Sequence, residues 1–456
     1  MQTTKHLRRL GKALALLLSA LFVDMALSYA LCPLGSITEV TWYDYRQAVE
    51  EDFDTVVIGS SYAQLGINPF ALDEELGSNA YNLATLGQSL PDSLAALQTA
   101  AHDHDLHRVV LCCGIESFRD TPQYDRQICF LQAKSVGESL LAKAQNAARV
   151  AFDADNFPNS KSLTWVFPWM YNTVPRTYEA ISANVQSRLD GQTPLEASET
   201  TESGWRYLGK GYGGYDDTFD FQRMSTDLLS IPGNAPLEAR HLEELAALLD
   251  FCTQQNITAY VVMVPQPDYM NLAHHESWYP QLLLQAQQIV EEHGGRFMDA
   301  NLIDPRIYRP LNTDFRDAQH LNIDGAARFS TALGRIIARC EGGEDIRPLF
   351  SSYDDWDAHI DSLKDIALCY CDYKVGPDAI EFVAGTVAKP DAKIEYQFET
   401  AAAQAKRYEI AQPFGTSYTF EAPISGHGKL KVLVTARVAG QTSDEDACIW
   451  RGTVVY

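Results

Sequence analysis

The stretch Val56-Val57-Ile58-Gly59-Ser60-Ser61-Tyr62-Ala63-Gln64 decides how the rest of the chain is read. A short apolar strand stops at Gly-Ser-Ser, and helix-compatible residues follow. In an α/β sheet the carboxyl end of a strand faces the ligand crevice, and the next helix offers its free amides there. A nucleophile is commonly presented at such a junction, and Ser61 stands on it. Small residues fill many strand-to-helix turns, so a mere helix cap is the plain alternative. Ser61 draws notice because of a stretch far down the chain, Asp317-Ala318-Gln319-His320-Leu321-Asn322. The expectation is that folding brings the two together.

Outward from this stretch, strands are predicted over 55–59, 80–84 and 109–113, with helices over 69–76 and 89–101. This β-α-β-α-β rhythm argues for a parallel sheet wrapped by helices. It breaks between about 120 and 235. There a helical piece is predicted over 136–150, a polar, mobile stretch over 191–204, and a flexible Gly-rich loop at Lys210-Gly211-Tyr212-Gly213-Gly214-Tyr215. The run Trp165-Val166-Phe167-Pro168-Trp169-Met170-Tyr171 is read as the core of an inserted subdomain, with an exposed patch as the alternative. Alternation resumes with a helix over 237–254, a strand over 258–264, a helix over 282–293 and a strand over 297–299. Ile323, Ala326, Phe329, Leu333 and Ile337 then mark one face of a helix. Beyond about 345, alternating runs at 380–383, 394–398, 418–421 and 430–436 suggest a small antiparallel β-sandwich.

Lys5, Arg8, Arg9 and Lys12 precede a mostly apolar run over 13–31, long enough to cross a bilayer as a helix. The basic flank keeps the N-terminus cytoplasmic and places the rest outside. A cleaved signal peptide is the competing reading, but its small-x-small site is poorly formed near Ser28-Tyr29-Ala30. Residues 33–50 read as a short tether with some helical character. The expected organisation is a flank and anchor over 1–32, an α/β domain over 51–345 with its insertion at about 120–235, and a β-sandwich over 350–456.

The 456 residues carry a net charge of −24, which opposes nucleic-acid binding. Nine cysteines are too few for a disulfide scaffold at this length. Cys112 and Cys113 read as buried thiols, and Cys369 or Cys371 is able to bridge Cys448 in an oxidising compartment. No metal or cofactor motif occurs, and His102, His104 and His107 read as a wet surface turn.

Acyl transfer needs a hydroxyl, an imidazole to take its proton, a carboxylate to orient the imidazole, and donors for the oxyanion. Ser61 supplies the first. Asp317 lies three residues before His320, so in a turn entering a helix both side chains project the same way. The amides of Ser61 and Gly87 are natural oxyanion donors, and Gly87 lets an acyl oxygen approach closely.

These blocks resemble the SGNH or GDSL-type serine esterases and acyltransferases. Gly59-Ser60-Ser61 matches the nucleophile block. Asn82 and Gly87 keep the spacing of the second block, and Asp317 with His320 matches the last, followed by Asn322. The third block departs: Gly114-Ile115-Glu116-Ser117 places Glu116 where the resemblance implies an oxyanion Asn. Asn82, Gln64 or Gln88 are the candidates to replace that donor. The resemblance implies a flavodoxin-like parallel sheet sandwiched by helices. The anchor and the Gly-Ser-Ser variant resemble the branch that includes the D-alanyl-lipoteichoic acid biosynthesis and alginate O-acetylation proteins. That branch works outside the membrane beside an integral-membrane acyltransferase.

The expected function is therefore a membrane-anchored, extracytoplasmic O-acyltransferase or esterase acting on a cell-surface glycan or polymer, without cofactor. The alternatives are a non-catalytic scaffold that binds glycan or recruits a membrane acyltransferase, and a nucleotide-binding α/β protein. The latter is disfavoured by the missing GxGxxG and GxxxxGK[ST] motifs.

Overall fold

The computed structural model describes residues 2–120, 122–136, 139–154, 156–157, 167–198, 204–219, 236–273, 278–441 and 447–456. Helix α1 (Gln2–Leu31) touches the rest of the chain along its second half, against residues 168–170 and 178–189, and the apolar side chains described over Leu10–Leu31 are largely exposed. After it, α2 (Ile37–Gln47) is no tether. Val40, Trp42 and Tyr45 are buried, and Ser36 caps its first turn through the Glu39 amide. The tether expectation missed this because its apolar positions are diluted by Thr and Tyr, which here pack rather than face water.

The α/β layer opens with β1 (Thr55–Gly59), α3 (Ser61–Gly66), α4 (Pro69–Leu76), β2 (Ala80–Asn82), α5 (Leu90–Asp103) and β3 (Arg108–Cys113). The insertion supplies α6 (Tyr124–Lys134), α7 (Leu140–Ala151), α8 (Tyr178–Leu189), α9 (Pro194–Ser198) and a hairpin of β4 (Arg206–Gly209) and β5 (Tyr212–Gly214). The layer then continues with α10 (Ala239–Gln255), β6 (Thr258–Met263), α11 (Asp268–Ala273), α12 (Trp278–Glu292), β7 (Arg296–Asp299) and α13 (Ile323–Glu341).

Strands β2-β1-β3-β6-β7 form one parallel sheet in that spatial order. The direction of winding reverses between β1 and β3, and ligands bind outside the carboxyl ends of strands at such a reversal. Alternate residues feed two cores. Val56, Ile58, Val109, Leu111, Ala259 and Val261 face α5, α10 and α12. Val57, Val110, Cys112, Tyr260 and Val262 face α4 and α13. With both faces covered, continuous apolar runs are what the strands require.

Within the insertion several expectations are corrected. The 210–215 segment is the turn and second strand of a hairpin, with Tyr212 fully buried. Gly211 adopts φ +73°, and a Cβ there would run into the Asn82 carbonyl. Its glycines press the hairpin against β2 instead of loosening it, and the Asn82 amide bonds the Lys210 carbonyl at 2.9 Å. Part of the stretch expected to be mobile is α9, with Ala197 and Ser198 buried. The aromatic run is no subdomain core in its described part: none of Pro168–Met170 is buried, and Phe167 is exposed. Trp165 and Val166 lie outside the described residues, as does 199–203. The helix expected from 136 begins at Leu140.

After the α/β layer, α14 (Trp356–Ser362) leads into β8 (Ile366–Val375), β9 (Ala379–Ala388), β10 (Ile394–Ala402), β11 (Glu409–Gly415), β12 (Thr419–Pro423), β13 (Lys429–Val438) and β14 (Cys448–Val455). These form antiparallel sheets β11-β10-β13-β14 and β12-β9-β8 around a shared core containing Phe382, Phe398, Val434 and Trp450. All nine cysteines are free thiols, so no bridge to Cys448 is formed. His102 and His107 are exposed on their surface turn as expected, while the His104 ring between them packs 4.9 Å from that of Phe53.

Candidate active site

Ser61 is the first residue of α3, directly beyond the carboxyl end of β1. Gly59 makes this exit possible. It adopts φ +130°, and a Cβ would collide with the Cys112 carbonyl on neighbouring β3. Ser60 holds the helix-cap position without a side-chain capping bond, so Ser61 is not the cap. The Ser61 Oγ lies 2.8 Å from His320 Nε2.

The 316–320 turn is built to hold that imidazole. An antiparallel bridge between buried Phe315 and Leu321 closes its base, and the Arg316 amide donates to the His320 carbonyl at 2.9 Å. The Asp317 Oδ1 accepts from the amides of Gln319 and His320 at 2.9 and 2.8 Å. Both Asp317 oxygens lie 2.9 Å from His320 Nδ1. Burial alone would raise the Asp317 carboxyl, but these bonds and the imidazole outweigh it and hold the group below its ordinary range. With Asp317 accepting at Nδ1, that nitrogen carries the proton and Nε2 is left to accept from Ser61. The Tyr62 ring stacks on the imidazole, centroids 5.3 Å apart.

Around this pair lies a cleft of about 540 Å³ lined by Gly87, Gln88, Glu116, Arg126, His241 and Arg316 among others. Gly87 adopts φ +63°, and a Cβ would sit 2.8 Å from Cγ of Arg126. Neither the Ser61 nor the Gly87 amide finds an acceptor among the described residues. Glu116 enters just beyond the carboxyl end of β3. Burial raises its carboxyl above the ordinary glutamate range, partly offset by its own backbone amide. The Tyr62 hydroxyl is 3.4 Å from both Glu116 Oε2 and Gln319 Oε1.

Four proposed oxyanion or substrate groups are committed to other partners or placed elsewhere. Asn82 is fully buried, and its amide donates to the Ala63 and Ile67 carbonyls at 3.0 Å, tying α3 to β2. Gln64 is fully buried and off the cleft, because α3 packs against the sheet, β5 and α13 beyond its first turn. Asn322 caps α13 through the Gly325 amide and donates to the Thr313 carbonyl at 2.8 Å. Gln88 does line the cleft, but its amide is bonded to Thr85 and Ser93.

Sequence reasoning missed Tyr62, Arg126, His241 and Arg316. Tyr62 and Arg316 adjoin the two decisive stretches, and that adjacency was the available signal. Arg316 lies with its guanidinium 3.4 Å over the Tyr215 ring and its Nε 3.7 Å from Asp317. Arg126 and His241 come from segments that carry no motif. Among the described residues no group of three His, Cys, Asp or Glu is placed to hold a metal ion.

No protein-family profile and no curated protein matches the chain. Among solved structures, 93% of the chain aligns with 98% of an engineered protein, Northeast Structural Genomics Consortium target OR128, at 10% identity and a TM-score of 0.15. A modular endo-beta-1,4-mannanase from Cellulomonas fimi aligns with 92% of the chain over 98% of its own length, at 12% identity and a TM-score of 0.14. Superpositions this poor carry no argument about fold or chemistry.

Proposed function

We propose that this chain is a serine-dependent O-acyltransferase or esterase of the SGNH type, anchored by α1 and acting outside the membrane on a cell-surface glycan or polymer. The observation that carries the reading is the relay Ser61–His320–Asp317, drawn from two remote stretches and closed at 2.8 and 2.9 Å. His320 Nε2 takes the Ser61 proton as Oγ attacks an ester or thioester carbonyl. Asp317 holds the imidazolium that results. The developing oxyanion falls to the amides of Ser61 and Gly87. His320 then protonates the leaving group, and in the second half it activates a sugar hydroxyl or water to take the acyl group from Ser61. Helix α1 supports the anchor: its span Leu10–Leu31 has a mean hydropathy of 2.0 and shows no burial. The donor in this reading is an acyl group delivered by an integral-membrane acyltransferase.

The full-length protein in detergent should form one covalent adduct with a fluorophosphonate, located by peptide mapping at Ser61 and absent in Ser61→Ala. Folded protein that takes no label at Ser61 would refute the nucleophile and leave a binding protein.

A further inference from the structure

We infer that the aromatic turn Pro168–Met170 is seated in the outer leaflet of the bilayer, with lipid as its occupant. This rests on α1 being the proposed anchor. Arg8, Arg9 and Lys12 fix the inner boundary. At 1.5 Å of rise per residue, a hydrocarbon layer about 30 Å thick is crossed only near Leu31. Asp24 stands seven residues before Leu31, about 10 Å inside that exit. A carboxyl at that depth needs a protein partner. It has one: Trp169 Nε1 donates to Asp24 Oδ1 at 2.8 Å. The turn that carries Trp169 therefore lies at the depth of Asp24, below the end of the span.

The insertion is locked to α1 in this position. The Val174 amide donates to the Leu31 carbonyl at 2.8 Å, so the chain climbs along α1 from Trp169 to the membrane exit. There Asn184 of α8 donates to the carbonyls of Ala30 and Cys32 at 3.0 and 2.9 Å, and Arg188 donates to Cys32 at 3.0 Å. Arg188 also lies over the Tyr29 ring. Phe167 and Met170, which flank Trp169, are 40% and 42% exposed. Large apolar side chains left open beside a membrane span, below its outer end, suit lipid. The same insertion sends Arg126 against Gly87, so a seated insertion also fixes the cleft relative to the bilayer surface.

The test uses the full-length protein in phosphatidylcholine–phosphatidylglycerol nanodiscs, with and without phosphatidylcholine brominated at carbons about one third of the way down the chain. Two added reporters are compared, each against the parent: Phe167→Trp, which preserves the Trp169–Asp24 bond, and Phe22→Trp on the exposed face of α1. Both should lose added emission in brominated lipid relative to the unbrominated discs. Quenching of the Phe22→Trp reporter without quenching of Phe167→Trp overturns the inference while the anchor stands, and assigns the turn to a protein partner. No quenching of either removes the anchor and the inference together.

Discussion

The two walls of the cleft are built differently. One carries Ser61, His320 and Asp317. It rises from the end of β1 and from a five-residue turn whose amides are bonded to Asp317 itself, on elements with both faces buried. The other is made of Gly87, Arg126 and Glu116. It depends on the insertion leaning on a loop, and its carboxyl has only a 3.4 Å contact to the Tyr62 hydroxyl and its own amide. In the proposed reaction the reacting groups stand on the first wall. In the wall that would meet the developing charge and the substrate, Glu116 follows β3 directly, while Gly87 sits in a loop against Arg126 of α6, a helix packed on α2. Rate should depend on the first wall far more steeply than on the second.

The largest effect should come from Asp317→Asn. The amide still accepts from the turn, so the fold should persist with an unchanged melting temperature. The imidazole loses one of its two acceptors and the charge that stabilises its protonated form, and the rate of fluorophosphonate labelling should fall about 10³- to 10⁴-fold at neutral pH. A fall of less than tenfold would mean that the two walls contribute alike.

Gly87→Ala strikes the second wall. A Cβ at φ +63° is strained, and it would press on Arg126 and on Gln123 Oε1 at 3.0 Å. We expect a labelling rate reduced roughly 10²- to 10³-fold through displacement of the Gly87 amide, the order of one lost oxyanion donor. Unfolding by urea should cost about 1–2 kcal/mol of stability. A loss of stability with no loss of rate would remove Gly87 from the oxyanion site.

The same division separates what the sequence made legible from what it did not. The sheet strands declared themselves because each must be apolar on both faces, and α13 because Ala326, Phe329 and Leu333 recur at helical spacing over one core. Ser61, Asp317 and His320 were legible as types and spacings at the edges of such elements. Asn82 and Asn322 misled because a buried amide beside a strand end serves equally well as a ligand group or as a tie between elements. Only the partners, Ala63, Ile67 and Thr313, distinguish the two. The insertion was read least well. Its exposed Phe167 and Met170 look like core residues in sequence, and their surroundings are decided by α1, more than a hundred residues earlier. The hairpin was misread for a related reason: glycine permits close packing as readily as it permits motion, and Gly211 uses the former.

The smallest effect tests how Glu116 takes part in the second wall. Burial raises its carboxyl, so the neutral form persists to higher pH than for a solvated glutamate, and it ionises as pH climbs through the raised value. The neutral acid can donate a hydrogen bond toward the cleft, whereas the carboxylate opposes a developing oxyanion. Glu116→Gln keeps a neutral donor at every pH. The readout is the ratio of variant to wild-type labelling rates across pH. That ratio should stay near one at the acid end and rise roughly tenfold as Glu116 ionises, about the worth of one charge-sensitive hydrogen bond. A ratio that falls with pH would give the carboxylate a positive role, as a base or as a binder of a cationic acyl group. A flat ratio would place Glu116 outside the reacting field, and the second wall would then rest on Gly87 alone.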